Sequence, residues 1–325
     1  MSEFETDTIS VIIRTASIDR IAMLDEALFS VAVQDWPSIQ VVISLQSPSR
    51  KFLTAVETLT SRFFWREGIS VKTLPIDIPD GQDGRARLMN SGLAAAVGRY
   101  VSFLDDDDIL YQNAFTTLIE ELKGSKDAIA VGGCRIARLR SVEDHQFIYH
   151  KAFPHFWGDS KFELLIENFI PVHSYILDRS RISAGTLRFR DEAIPLEDYD
   201  FLSRLADGHS FNLNKQNVPI CEYRLHEKNT IWSGSATNDA SPALQRARKF
   251  VREHLDQTTF SISKTEFEKL RRQAPAPIAT APPQQQLRGL DRWLTRNISY
   301  SYLKYKLRKL ACKLRGQPTN ERYHY

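Results

Sequence analysis

The chain predicts an α/β fold with a largely parallel sheet, and three observations carry that expectation. From Thr8 onward, short β-branched runs alternate with longer segments whose apolar residues recur at helical spacing, the pattern of βαβ units. The 325 residues suffice for one large domain or two modest ones. With 42% hydrophobic and 26% charged residues, the composition is that of a globular chain with a sizeable core.

Strands are expected at Ile9–Thr15, Gln40–Leu45, Ser70–Leu74 and Tyr100–Leu104. Between them, Ile21–Val33, Lys51–Phe64 and Arg85–Val97 are long enough for crossover helices. Ligands on open α/β sheets bind outside the carboxyl ends of the strands. Attention therefore falls on Arg14, Thr15 and Ala16, on Ser44, Leu45 and Gln46, and on Asp105 to Asp108. From residue 128 to 229 the pattern turns to α+β, with strands expected at Ala128–Arg138, Val172–Leu177 and Val218–Tyr223 and a helix near Glu197–Ala206, packed onto the sheet. Residues 274–286 (APAPIATAPPQQQ) hold too few large apolar groups to pack and read as an extended linker.

The formal charge of +3 hides a split. Residues 284–325 hold ten Lys/Arg against Asp291 and Glu321, a net +8, which leaves residues 1–283 at −5. A mildly acidic body excludes a phosphate-neutralising face, so no nucleic acid is expected as a partner. In the tail, Leu303, Leu307, Leu310 and Leu314 fall on one helical stripe flanked by Lys and Arg. That pattern suits either an interfacial helix on anionic lipid through residues 287–316 or a helix packed on its own domain or a second subunit. The cysteines Cys134, Cys221 and Cys312 form no CxxC or Cys/His ligand spacing, so neither a zinc site nor a disulfide framework is expected. The acidic N-terminus lacks signal-peptide character, and no apolar run approaches the roughly 18–20 residues that span a bilayer. A cytoplasmic protein is expected, free or peripheral on the inner face of the cytoplasmic membrane.

The strongest chemical feature is the run Asp105-Asp106-Asp107-Asp108 at the end of an apolar strand. Such crowded carboxylates suit a divalent cation, Mn²⁺ or Mg²⁺, held by hard oxygens, or else form an acidic loop that caps the helix near Asn113. Upstream lies the segment from Gly84 to Val101 (GRARLMNSGLAAAVGRYV). With the opening Ile9-Ser10-Val11-Ile12-Ile13-Arg14-Thr15, it resembles the family 2 glycosyltransferases of the GT-A fold, in which a GR…N-x-G-L-A-x-A-x-G segment leads to a D-x-D. Here the D-x-D falls on Asp105-Asp106-Asp107. Pro195 to Leu205 (PLEDYDFLSRL) resembles the family's acceptor-side segment, and Tyr223 to Asn229 (YRLHEKN) its Y-R-x-H-x-x-N element.

The resemblance covers about residues 8–230. It implies a Rossmann-like nucleotide-binding half (8–108) fused to an acceptor-binding α+β half (109–255), followed by a short helix and linker (256–286) and a C-terminal helical extension (287–325). It further implies a metal-dependent inverting transferase that moves a sugar from a nucleotide-sugar donor to a glycan or lipid-linked acceptor in bacterial surface polysaccharide synthesis. The alternative is a non-catalytic nucleotide-binding scaffold.

By the same resemblance, Asp107 and Asp105 are the metal ligands, and Asp105 and Asp106 face the nucleotide sugar. His226 either completes the metal or diphosphate site or is structural. Asp198, supported by Glu197, is the base that takes the acceptor proton. Thr15, Gln46 and Asn90 join the donor side, and Arg85 and Arg87 either contact the base or phosphates there or are solvated arginines at a helix start. Arg14 either faces the nucleotide or pairs with a loop acid such as Asp19. Gln46 stands where the family often has a carboxylate, which leaves the base of the donor open.

Overall fold

The computed structural model describes residues 4–226 and 241–257, except 63–64, 143–144, 154–155, 157, 159 and 166. The expected linker beyond residue 257 and the basic helix lie outside the described residues. Four strands run parallel: β1 (Glu5–Thr15), β2 (Ile39–Gln46), β3 (Ile69–Ile76) and β4 (Gly98–Asp105), in the order β3-β2-β1-β4. Side chains of β1 and β2 are buried on both faces, which is why they read as continuous apolar runs and not as alternating ones. The crossovers are α1 (Ile21–Ala32), α2 (Arg50–Arg62) and α3 (Arg85–Ala95).

Two glycines of the segment preceding the acidic run are dictated by close approach. A Cβ on Gly92 would stand 2.3 Å from Ile12, where α3 lies on β1, and one on Gly98 would stand 2.4 Å from the Thr8 carbonyl oxygen, where β4 meets β1. After β1 the chain builds outward to β2 and β3, then returns to the other side of β1 as β4. This reversal opens a crevice at the carboxyl ends of β1 and β4, where Arg14 and Asp105 are register partners.

The second region adds strands to the same sheet. Here β5 (Ile109–Leu110), β6 (Ile129–Val142), β7 (His145–Ala152), β8 (Tyr175–Asp178) and β9 (Phe211–Leu225) extend it in the order β3-β2-β1-β4-β8-β6-β9-β5, with β7 paired to β6. The junction is antiparallel, β4 against β8. The expectation of a region packed onto the sheet is thus corrected to a continuous mixed sheet. The expected strand at Val172–Leu177 starts only at Tyr175, because residues 171–174 close a turn in which Ser174 N–H donates to the Pro171 carbonyl at 2.9 Å. Helices α4 (Ala114–Lys123), α5 (Glu197–Ala206) and α6 (Pro242–Gln257) complete the described fold. One apolar core runs from α1 and α2 through β1, β2 and β4 to α4, β6 and β9.

Candidate active site

The acidic run turns sharply as β4 ends, with Asp108 N–H donating to the Asp105 carbonyl at 3.2 Å. The four carboxylates then part company. Asp105 receives Arg14 Nε at 2.8 Å, and Asp106 receives Arg20 Nε on both oxygens, at 2.9 and 2.8 Å. Asp107 meets Arg20 Nη2 at 2.9 Å. Asp108 accepts the Arg224 N–H at 2.7 Å and places its other oxygen 3.0 Å from His173 Nδ1. This corrects the helix-cap alternative: α4 begins after Asn113, well clear of Asp108.

Oxygens of Asp105, Asp107 and Asp108 lie within 4.8 Å of one another, a hard donor set that fits a divalent cation. Burial and then the charge of Asp108 push the Asp107 carboxyl up to about 6. Burial acts the same way on Asp105, but the Arg14 guanidinium holds that carboxyl below its ordinary value. Charge added between these groups would relieve the repulsion at Asp107. His226 lies beside Asp107, and burial lowers the pKa of its imidazole against the pull of that carboxylate.

Across the crevice, α5 opens with Glu197 and Asp198. Arg14 spans the gap, its Nη1 2.6 Å from Glu197 Oε1 while its Nε holds Asp105. The Asp19 pairing considered from the sequence is not formed: Asp19 accepts locally from Ser17, and Arg14 bridges the two acidic segments. Glu197 Oε2 is buried with no hydrogen-bond partner among the described residues. Asp198 accepts from Asn168 Nδ2 at 3.1 Å and from the Tyr199 N–H at 2.8 Å. Burial, then the Glu197 charge, raises its pKa to about 7.

The family model for glycosyl transferase family 2 matches residues 10–179, just over half of the chain. The chain belongs to that family. Its neighbours agree in fold. A Campylobacter jejuni GalNAc(5)-diNAcBac-PP-undecaprenol beta-1,3-glucosyltransferase is 29% identical over 131 residues, 40% of this chain and 39% of that one. The crystal structure of S. aureus TarS superposes with a TM-score of 0.50 at 16% identity, covering 95% of this chain and 53% of that one. TarS 1–349 in complex with UDP-GlcNAc gives 0.53 at 15% identity, covering 98% of each. The chain therefore spans about two fifths of its C. jejuni relative and about half of full TarS.

In this family 2 chain the residues expected on the donor side divide. Thr15 ends β1 beside the acidic loop, and Gln46 ends β2 close to Gly84, whose added Cβ would stand 3.0 Å from Gln46 Oε1. Arg85 and Arg87 line an open cleft of about 820 Å³ with Gly84, Glu192 and Arg246, and Arg85 is paired with Asp83 at 3.0 Å. Asn90 is committed elsewhere: its amide donates to the Phe189 carbonyl at 2.9 Å and accepts the Phe189 N–H at 2.8 Å, tying α3 to the second half. The sequence did not single out Arg20 or the role of His173, and it marked Arg224 only as part of the Tyr223–Asn229 element, without the contact its N–H makes to Asp108. Each acts on the acidic loop from a distant segment, and no local spacing signals such a contact. No helix among the described residues is long and apolar enough to cross a membrane.

Proposed function

We propose that this chain is a divalent-cation-dependent, inverting glycosyltransferase that moves a sugar from a nucleoside-diphosphate sugar to a hydroxyl of a lipid-linked glycan. The observation that carries this reading is the Arg14 bridge, which sets the acidic loop and the Glu197-Asp198 pair on opposite sides of one crevice. Asp105 and Asp107 would hold the cation, whose charge would offset that gathering on the departing diphosphate. Asp106 stays with Arg20 and orders the loop. Asp198 takes the proton of the acceptor hydroxyl, and its raised pKa makes it a better base than an ordinary aspartate. With one base and no second carboxylate nucleophile required, a single displacement inverts the anomeric centre. A lipid-linked acceptor is supported by the name of the C. jejuni relative, which specifies an undecaprenol-diphosphate glycan. Residues 287–316 would bring the enzyme to the anionic membrane that carries such an acceptor.

The test is nucleoside-diphosphate release by the purified full chain from a panel of sugar nucleotides, with and without Mn²⁺. Asp107→Asn and Asp198→Asn are each expected to lower turnover by about a hundredfold or more at unchanged melting temperature. Near-normal transfer by the Asp198 variant would overturn the assignment of the base.

A further inference from the structure

Three side chains that the catalytic reading leaves unused meet in the core of the second half. Cys134 on β6, Cys221 on β9 and His173 in the turn before β8 are each at most 1% exposed. Their ligand atoms lie within 4.8 Å of one another. Cys134 and Cys221 are register partners on paired parallel strands. The neighbouring Gly133 permits this closeness, since a Cβ there would stand 2.5 Å from the Gln216 carbonyl oxygen and 2.8 Å from that of Val218.

The spacing suits a particular ion. Cys134 Sγ and His173 Nε2 are 3.5 Å apart; a tetrahedral Zn²⁺ with Zn–S of about 2.3 Å and Zn–N of about 2.1 Å sets its sulfur and nitrogen ligands about 3.6 Å apart. The other imidazole nitrogen, Nδ1, faces the buried carboxylate of Asp108 at 3.0 Å, and the ring stacks on Tyr223 at an interplanar angle of 9°. Metal-binding histidines usually give their second nitrogen to a carboxylate, which fixes tautomer and ring orientation; here the two atoms stand within reach of each other, and neither has another hydrogen-bond partner among the described residues.

We propose that Cys134, Cys221 and His173 bind a structural Zn²⁺ ion, at a site separate from the acidic loop. Charge decides between the soft ions: two thiolates, a neutral imidazole and Zn²⁺ sum to zero, whereas Cu⁺ would leave a buried negative charge beside Asp108. Binding needs both sulfurs as thiolates and the imidazole bare at Nε2, so the protons these groups carry pass to solvent, with no redox step. The three donors would leave one tetrahedral position for a fourth ligand, and the Cys221 thiol, which now donates to the Gly133 carbonyl oxygen at 3.7 Å, would give up that hydrogen bond on binding. The ion would clamp β6, β9 and the turn before β8. Through His173 and Asp108 it would also brace the acidic loop. The two sites would then sort metals by chemistry, thiolates taking Zn²⁺ and carboxylates taking Mg²⁺ or Mn²⁺.

The test is elemental analysis of the full chain, purified under reducing conditions without chelator. About one Zn²⁺ per chain is expected in the wild type and in Asp107→Asn, and under about a tenth of that in Cys134→Ser and Cys221→Ser. Because the serine variants can fail to fold, the wild type is also exchanged with Co²⁺, which should give a thiolate-to-cobalt charge-transfer band in the near ultraviolet. Wild-type protein that carries no zinc and takes up none after reduction overturns the proposal, as does a Cys134–Cys221 disulfide found by intact mass. Copper in place of zinc overturns the choice of ion.

Discussion

Asp198 is a buried acid beside another buried acid, and this pairing governs how its chemistry depends on pH. Burial and the Glu197 charge hold its pKa at about 7. If Asp198 is the base, it works deprotonated, so kcat/KM should rise with pH up to about 7 and fall about tenfold per unit below it. Replacing Glu197 with Gln removes the neighbouring negative charge, and the limb of the pH profile should move to lower pH. An unmoved limb would mean that the Glu197 charge is not felt at Asp198. The same raised pKa has the opposite sign for stability. The folded state holds this proton more tightly than the unfolded chain, so the contribution of Asp198 to stability shrinks as pH climbs from the ordinary carboxylate range toward neutrality.

At the scale of elements, the join between the parallel and mixed parts of the sheet rests on one carboxylate. Asp178 ends β8 opposite Tyr100 on β4 and is fully buried. It receives Arg99 at 3.0 and 2.7 Å and caps the following short 3₁₀ turn through the Ser180 N–H at 3.1 Å. Burial raises its pKa, but the Arg99 and Ser180 hydrogen bonds outweigh that and hold it below the usual carboxylate range. Its stabilisation is therefore present above that range and is lost as pH falls through the lowered value. Asp178→Asn should cost on the order of 2 kcal/mol at neutral pH. In urea unfolding, the gap between variant and wild type should narrow as the pH is lowered below 4 or so. Equal midpoints at neutral pH would remove Asp178 from this role.

Over the whole molecule, the near-neutral total charge is a sum of unlike parts, −5 over residues 1–283 and +8 over residues 284–325. If the basic segment brings the enzyme to its acceptor, the full chain should sediment with anionic vesicles and a chain ending at Gln273 should not. The binding should weaken with salt, because screening acts on surface charge. Equal sedimentation of the two chains would sink this role.

Much of the architecture was written locally. Strands β1, β2 and β4 and helices α1, α3 and α5 fall within a few residues of their expected bounds, because apolar periodicity and crossover length are properties of contiguous sequence. The acidic run and the Glu197-Asp198 pair were visible for the same reason: each is a cluster along the chain. Tertiary structure alone decided which charges neutralise which. Arg14 reaches Asp105 and Glu197, Arg20 takes Asp106, and Asn90 goes to the Phe189 backbone because the sheet reversal brings distant segments together. It also gathered Cys134, His173 and Cys221, far apart along the chain, into contact within one core. A side chain's type and neighbours in sequence set what chemistry it can offer, while its partners depend on strand order and register, which only the folded chain defines.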